Sequence, residues 1–74
     1  MIEYILKASL DRNLVITIIY QNNNGITQRN IKVHSIQGDT IKAFCFLRNQ
    51  NRIFKSENIL AADFMRGTHL KAVN

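Results

Sequence analysis

One cysteine, no proline and no tryptophan in 74 residues leave few devices for stapling a small domain. Cys45 has no second cysteine to bridge to, and with only His34 and His69 beside it the chain cannot complete a zinc site. The five carboxylates are scattered, so no pair is set up as general acid and base. Gly25, Gly38 and Gly67 stand far apart, which excludes a glycine-rich phosphate loop. Neither histidine has a carboxylate or serine at a spacing that suggests a triad. No catalysis, no cofactor and no metal are therefore expected. Also missing is any apolar run of about 18 residues, the length a membrane-spanning helix requires. Met1 to Leu6 is apolar but broken by Glu3, with no basic region before it and no small-residue cleavage site after it. A lone thiol without an export signal points to a reducing cytoplasm.

What the chain has in excess is positive charge. Ten Lys and Arg against five Asp and Glu give a net charge of +5. In so short a chain this favours polyanionic partners such as nucleic acid, nucleotides or acidic protein surfaces. Spread along the sequence as it is, the same charge also serves solubility. A core of this size yields only about 3–5 kcal/mol unless something reinforces it. Self-association through an edge strand is one such reinforcement.

Periodicity divides the chain into a helix and a set of short strands. Ile2, Ile5, Leu6 and Leu10 recur at helical spacing, Glu3–Lys7 and Lys7–Asp11 are i,i+4 pairs, and Asn13 suits a C-cap. A helix is expected over about 2–12. The β-branched run from Leu14 to Tyr20 then reads as a strand, and Gln21 to Gly25 as a turn. A second strand is expected from Thr27 to Ile36 and a third from Thr40 to Leu47, joined by Gln37-Gly38-Asp39. A fourth runs from Arg52 to Lys55. Ser56 opens a single helical turn through Glu57 and Asn58, and a last strand runs from Leu60 to Met65. The tail from Gly67 is expected to fray.

Treating Gln37-Gly38-Asp39 as a three-residue loop sets Ile36 opposite Thr40. One face then pairs Val33 with Ala43, Ile31 with Cys45 and Arg29 with Leu47. The other pairs His34 with Lys42, Lys32 with Phe44 and Asn30 with Phe46. The first face is apolar with an arginine at its end, the second basic and aromatic. The expected fold is mainly β: a small SH3-like or Sm-like five-stranded antiparallel barrel with one N-terminal α-helix, forming a single domain over 1–66.

The stretch from Leu14 to Ile59 resembles a WYL domain, a bacterial regulatory and ligand-sensing module with an Sm-like barrel. The likeness is carried by Ile16 to Tyr20 with the following Gly25, by Arg29-Asn30-Ile31, by Ala43 to Arg48, by Arg52-Ile53-Phe54 and by Lys55 to Ile59. Asp39-Thr40-Ile41 stands where the triplet naming that family would fall, and Val33 where it usually has proline. The resemblance implies a regulatory module that binds nucleotides or single-stranded nucleic acid through basic barrel residues.

The candidate binding residues are Arg29, Arg52, Lys32, Lys42, Arg48, Lys55 and Phe44. Arg29 lies on the apolar side of its strand, where five donors need partners. With Arg52 it would form a cationic fork for phosphate or carboxylate, or else pair internally with Glu57 or Asp63. Lys32, His34, Lys42, Phe44 and Phe46 share the mixed face. Cations beside aromatics there suit base stacking, although the helix also needs apolar residues to bury against, and Phe44 and Phe46 are the expected receivers. Arg48 and Lys55 would widen a basic patch, and Tyr20 would stand at the rim. Cys45 is expected to be buried as a small hydrophobe. The leading function is a regulatory module binding nucleic acid or a nucleotide-like anion, with no membrane involvement. The rival is a module that joins a protein partner or its own copies through an exposed strand edge; the Leu14–Tyr20 strand, with no charge or proline to blunt it, must be either covered or used in this way.

Overall fold

The computed structural model describes residues 1–65. The tail from Gly67, with His69, lies outside the described residues. A helix, α1 (Ile2–Arg12), is followed by β1 (Val15–Asn22), β2 (Gly25–Gln37), β3 (Thr40–Cys45), β4 (Gln50–Lys55), one 3-10 turn (Ser56–Asn58) and β5 (Ile59–Phe64). The strands form one antiparallel sheet in the order β4-β3-β2-β1-β5. β4 and β5 are its two edges, and no ladder between them closes the sheet into a barrel. β1 lies between β2 and β5, so the uncharged strand that had to be either covered or used as an edge is covered on both sides.

Local chemistry sets the boundaries. Asn13 adopts the left-handed conformation (φ 60°, ψ 42°), and its N–H caps the helix on the Ser9 carbonyl. At the β1–β2 reversal, the Asn24 N–H donates to Asn22 Oδ1 (2.8 Å), and Gly25 takes a φ of 117°. The β2–β3 hairpin turns on two residues, Gly38-Asp39, with Gly38 at φ 61° and Gln37 facing Thr40. A positive φ at the first turn residue is what glycine permits without steric cost.

This turn is one residue shorter than the expected loop. The missing residue reappears as a bulge in β2 between Val33 and Ser35. The expected pairs Val33–Ala43, Lys32–Phe44 and Ile31–Cys45 are therefore all present, whereas Lys42 faces Ser35 rather than His34, and Ile36 faces Ile41 rather than Thr40. The bulge switches the inward phase of β2, allowing Val33 and Ile36 both to point at the core. β3 stops at Cys45, so Leu47 sits exposed in the turn and does not pair with Arg29. Phe46 retains one link to its expected partner, its N–H donating to the Asn30 carbonyl (3.0 Å).

The core lies on the inner face of the sheet. Ile16, Ile18, Ile31, Val33, Ile41, Ala43, Cys45, Phe54 and Ile59 are buried there with Ile5 and Leu6 of the helix. The helix thus packs on the face opposite Phe44 and Phe46, which do not receive it. The inner face already carries the continuous aliphatic set, and the helix adds to that set. Phe54, on edge strand β4, meets Tyr20 of β1 edge to face at 4.9 Å, and Tyr20 Oη accepts the Lys55 N–H (3.1 Å). Since β1 and β4 are separated by two strands, these contacts record a strongly curled sheet.

Ser9, which drew no attention as a residue in the sequence, fastens the helix to that sheet. It is fully buried, its hydroxyl donating to the Leu14 carbonyl (2.7 Å) and accepting the Val33 N–H (2.9 Å). Val33 lies one residue past the last β1–β2 pair, Val15–Lys32, so the hydroxyl stands in for a strand partner that β1 does not extend to supply. Ser9→Ala should take the hydroxyl from the buried Val33 N–H and from the partly buried Leu14 carbonyl, and destabilise the fold by about 1–3 kcal/mol. Urea denaturation of the variant against wild type checks this, with an unchanged midpoint as the contrary result.

Candidate functional site

Strand alternation sorts the candidate residues onto two faces. Antiparallel partners share a face, so Arg52, opposite Ala43, lies on the inner side, as does Arg29, opposite Ile18. Lys32, Lys42 and Phe44 alternate with buried neighbours and lie on the outer side. Lys55, next to Phe54, is also on the outer side, at the far end of β4. Arg48 is exposed in the turn between β3 and β4. One sheet therefore separates the two arginines from the lysines and phenylalanine.

Arg29 is only 4% exposed. Its Nε donates to Thr27 Oγ1 (3.0 Å), Nη1 donates to Cys45 Sγ (3.8 Å), and its guanidinium carbon stands 6.0 Å from the centre of the Phe54 ring. It makes no ion pair with Glu57 or Asp63; the ion pair among the described residues is the exposed Lys55–Asp39 contact at 3.9 Å. Arg52 is half-buried, two positions before Phe54 on the same face of β4, whereas Arg29 is the arginine set against that ring. Tyr20, expected at the rim, is buried as the other ring of the Phe54 pair.

Cys45 is fully buried, and its sulfur faces donors on several sides. Burial pushes the thiol pKa up. The backbone N–H of Arg48, the Arg29 guanidinium and the backbone N–H of Leu47 outweigh that, and the net shift is downward. The sulfur thus supplies the electron-rich partner that Arg29 lacks among carboxylates.

The outer face has a different character. Phe44 and Phe46 pack edge to face, 4.9 Å apart, with Phe44 half-buried and Phe46 46% exposed. Lys32 and Asn51 flank Phe44 across the strands, and Lys42 lies two residues along the same face between Ser35 and exposed Ile53. None of these neighbours is acidic. Further across, Thr17 Oγ1 donates to Asn30 Oδ1 (2.8 Å), and Asp63 lies opposite Thr17 on β5. The exposed His34 occupies the bulge. Phe46 is the functional candidate that the sequence placed on this face but left out of the principal set; its position beyond the end of β3 is what leaves it uncovered.

A groove of about 380 Å³ runs between α1 and the β2–β3 turn, with Leu6, Leu10, Ile36 and Ile41 as its apolar lining and Glu3, Lys7 and Ser56 as its polar groups. None of the seven principal candidates lines it. No described helix is long and apolar enough to cross a membrane. Comparison of the chain with protein-family models and with curated proteins finds no match.

The Cys45 shift has a consequence for stability. Where the folded thiol ionises below the unfolded one, the unfolded state binds more protons between the two pKa values, so stability rises with pH across that window. Wild type should therefore gain stability relative to Cys45→Ala as pH climbs from the folded thiol's titration through the unfolded one's, and lose that gain as pH falls through the folded pKa. Paired urea titrations across this range measure the difference, and a flat difference would contradict the arrangement.

Proposed function

We propose that this chain is a regulatory module that binds single-stranded nucleic acid on the outer face of β2 and β3. The observation that carries the proposal is the Phe44–Phe46 pair, left uncovered by the helix on a face whose nearest charged neighbours are Lys32 and Lys42. Exposed aromatics give bases a stacking surface, and cations beside them neutralise the backbone, a combination that tolerates many sequences. Arg48, in the adjoining turn, extends the positive field, whereas Lys55, at the far end of the face, is offset by its ion pair with Asp39. Asn30 and Asn51 supply amide groups for base edges.

In this reading Arg29 belongs to the frame, because its donors are engaged with Thr27 and Cys45 behind the face. A nucleotide-like anion held by Arg29 and Arg52 on the inner side is the competing form of the proposal. The closed form of the fold belongs here as well. We take the curled sheet to be a divergent, WYL-like and Sm-like small barrel acting in the cytoplasm, with the 3-10 turn and the Lys55–Tyr20 hydrogen bond spanning the seam where a ladder would close it.

Fluorescence anisotropy with labelled single-stranded DNA and RNA tests the proposal. Saturable binding should weaken with salt, with a log–log slope of about 0.7 per neutralised phosphate. Phe46→Ala should cost roughly 5- to 150-fold in affinity, following from about 1–3 kcal/mol per stacked base. Lys32→Ala/Lys42→Ala should flatten the salt dependence. Absence of binding by folded wild type would overturn the proposal. Loss on Arg52→Ala with Phe46→Ala unaffected would move the site to the inner face.

A further inference from the structure

Thr17 and Asn30 stand opposite each other on β1 and β2, and Thr17 Oγ1 donates to Asn30 Oδ1 (2.8 Å). A side-chain amide carries an acceptor at one end and two donors at the other. The hydroxyl engages the acceptor end and holds it on the β1 side, which turns the Nδ2 donors away from Thr17. Asn30 is half-buried and alternates with buried Arg29 and Ile31, so its side chain shares the outer face with Lys32 and Phe44. On the side away from β1 stands Phe46, whose N–H donates to the Asn30 carbonyl (3.0 Å). Side chains set opposite each other on antiparallel strands lie about 4.5–5.5 Å apart at Cβ, so the amide borders the exposed ring. Asn51, the other amide of this face, is exposed, and among the described residues no hydrogen bond fixes which of its ends faces out.

The fixed end decides what Asn30 can read. An unconstrained asparagine reads adenine with both ends, donating to N7 and accepting from the N6 amino group. With Oδ1 engaged by Thr17, the donor end remains. A donor end meets the carbonyl oxygens of keto bases, O4 of uracil or thymine and O6 of guanine. Cytosine and adenine carry an amino group at the corresponding position, which sets donor against donor.

We propose that the Thr17–Asn30 pair makes the outer face selective for the keto bases uracil, thymine and guanine over the amino bases adenine and cytosine. This selectivity rests on the single-stranded nucleic-acid surface proposed above: a base stacked on Phe46 brings its edge to the Asn30 amide. Thr17 is a positioning residue, acting through the orientation of that amide.

Anisotropy titrations with labelled oligo(U) and oligo(C) of equal length provide the test, since the two strands share sugar, phosphate and ring size. Oligo(U) should bind about 3- to 10-fold more tightly, the range that one hydrogen bond supplies. Thr17→Ser keeps the hydroxyl and should keep the preference. Thr17→Val keeps the branched shape without the hydroxyl and should bring the two affinities together. Asn30→Ala should do the same by removing the amide, which keeps the test open should Thr17→Val fail to fold. Both variants should retain the salt dependence of wild type, because Lys32 and Lys42 are untouched. Equal binding of both strands by wild type, still weakened by Phe46→Ala, would overturn the selectivity and leave the surface standing. Tighter binding of oligo(C), or a preference that survives Thr17→Val and Asn30→Ala, would also overturn it. Binding of neither strand would overturn the surface and the selectivity together.

Discussion

Phe54 on edge strand β4 and Tyr20 on β1, with two strands between them in the sheet, meet ring to ring on the inner face, with the Arg29 guanidinium held beside them. For this contact to form, the sheet must curl, bringing β4 round toward β1. The curl wraps the inner face of the five-stranded sheet around the core, and α1 covers one side of it. A guanidinium in so small a core requires partners, which Thr27, Cys45 and the face of Phe54 supply. The Tyr20 hydroxyl completes the arrangement by accepting the backbone N–H of Lys55, at the end of the strand that carries Phe54.

With the inner face occupied in this way, the outer face is left to the solvent. The same strands that bury Ile31, Val33, Ala43 and Cys45 present Lys32, Lys42 and Phe44 on the other side, because side chains alternate along a strand. Phe46 joins Phe44 through the turn that ends β3, the turn whose backbone also points donors at the Cys45 sulfur. Core and candidate surface are thus two outcomes of one strand pairing, and a register slip would exchange them.

Much of this was legible in the sequence, for identifiable reasons. The helical spacing of Ile2, Ile5, Leu6 and Leu10 and the capping Asn13 locate α1, and the β-branched run before Tyr20 locates β1. The central pairs of β2 with β3 follow from matching apolar residues with apolar ones. The bulge was hidden because a three-residue loop and a two-residue loop with one bulged residue give the same pairing beyond it; only Ile36, whose burial requires a phase change, distinguishes them. The face chosen by the helix was also obscure, since apolar residues occur on both sides of β3. Volume favoured Phe44 and Phe46, but the isoleucines contributed by β1, β2 and β3 made the inner face the larger apolar surface. Ser9 was passed over because its role depends on where β1 begins, which no local pattern reports. The candidate site was legible as a set of residue types rather than as a place: the cations and Phe44 were identifiable, but their separation onto two faces emerged only with the pairing of all five strands.

The central claim is that the outer face of β2 and β3, and not the inner face or the helix groove, meets the ligand. Chemical-shift mapping by NMR, with a short single-stranded oligonucleotide titrated into the labelled protein, tests this most directly. The account predicts that the shifts of Lys32, Lys42, Phe44 and Phe46 move together while those of Leu6, Leu10 and Ile36 stay in place. Perturbations centred on the groove, or on Arg52 and Phe54 with Phe46 unmoved, would contradict it.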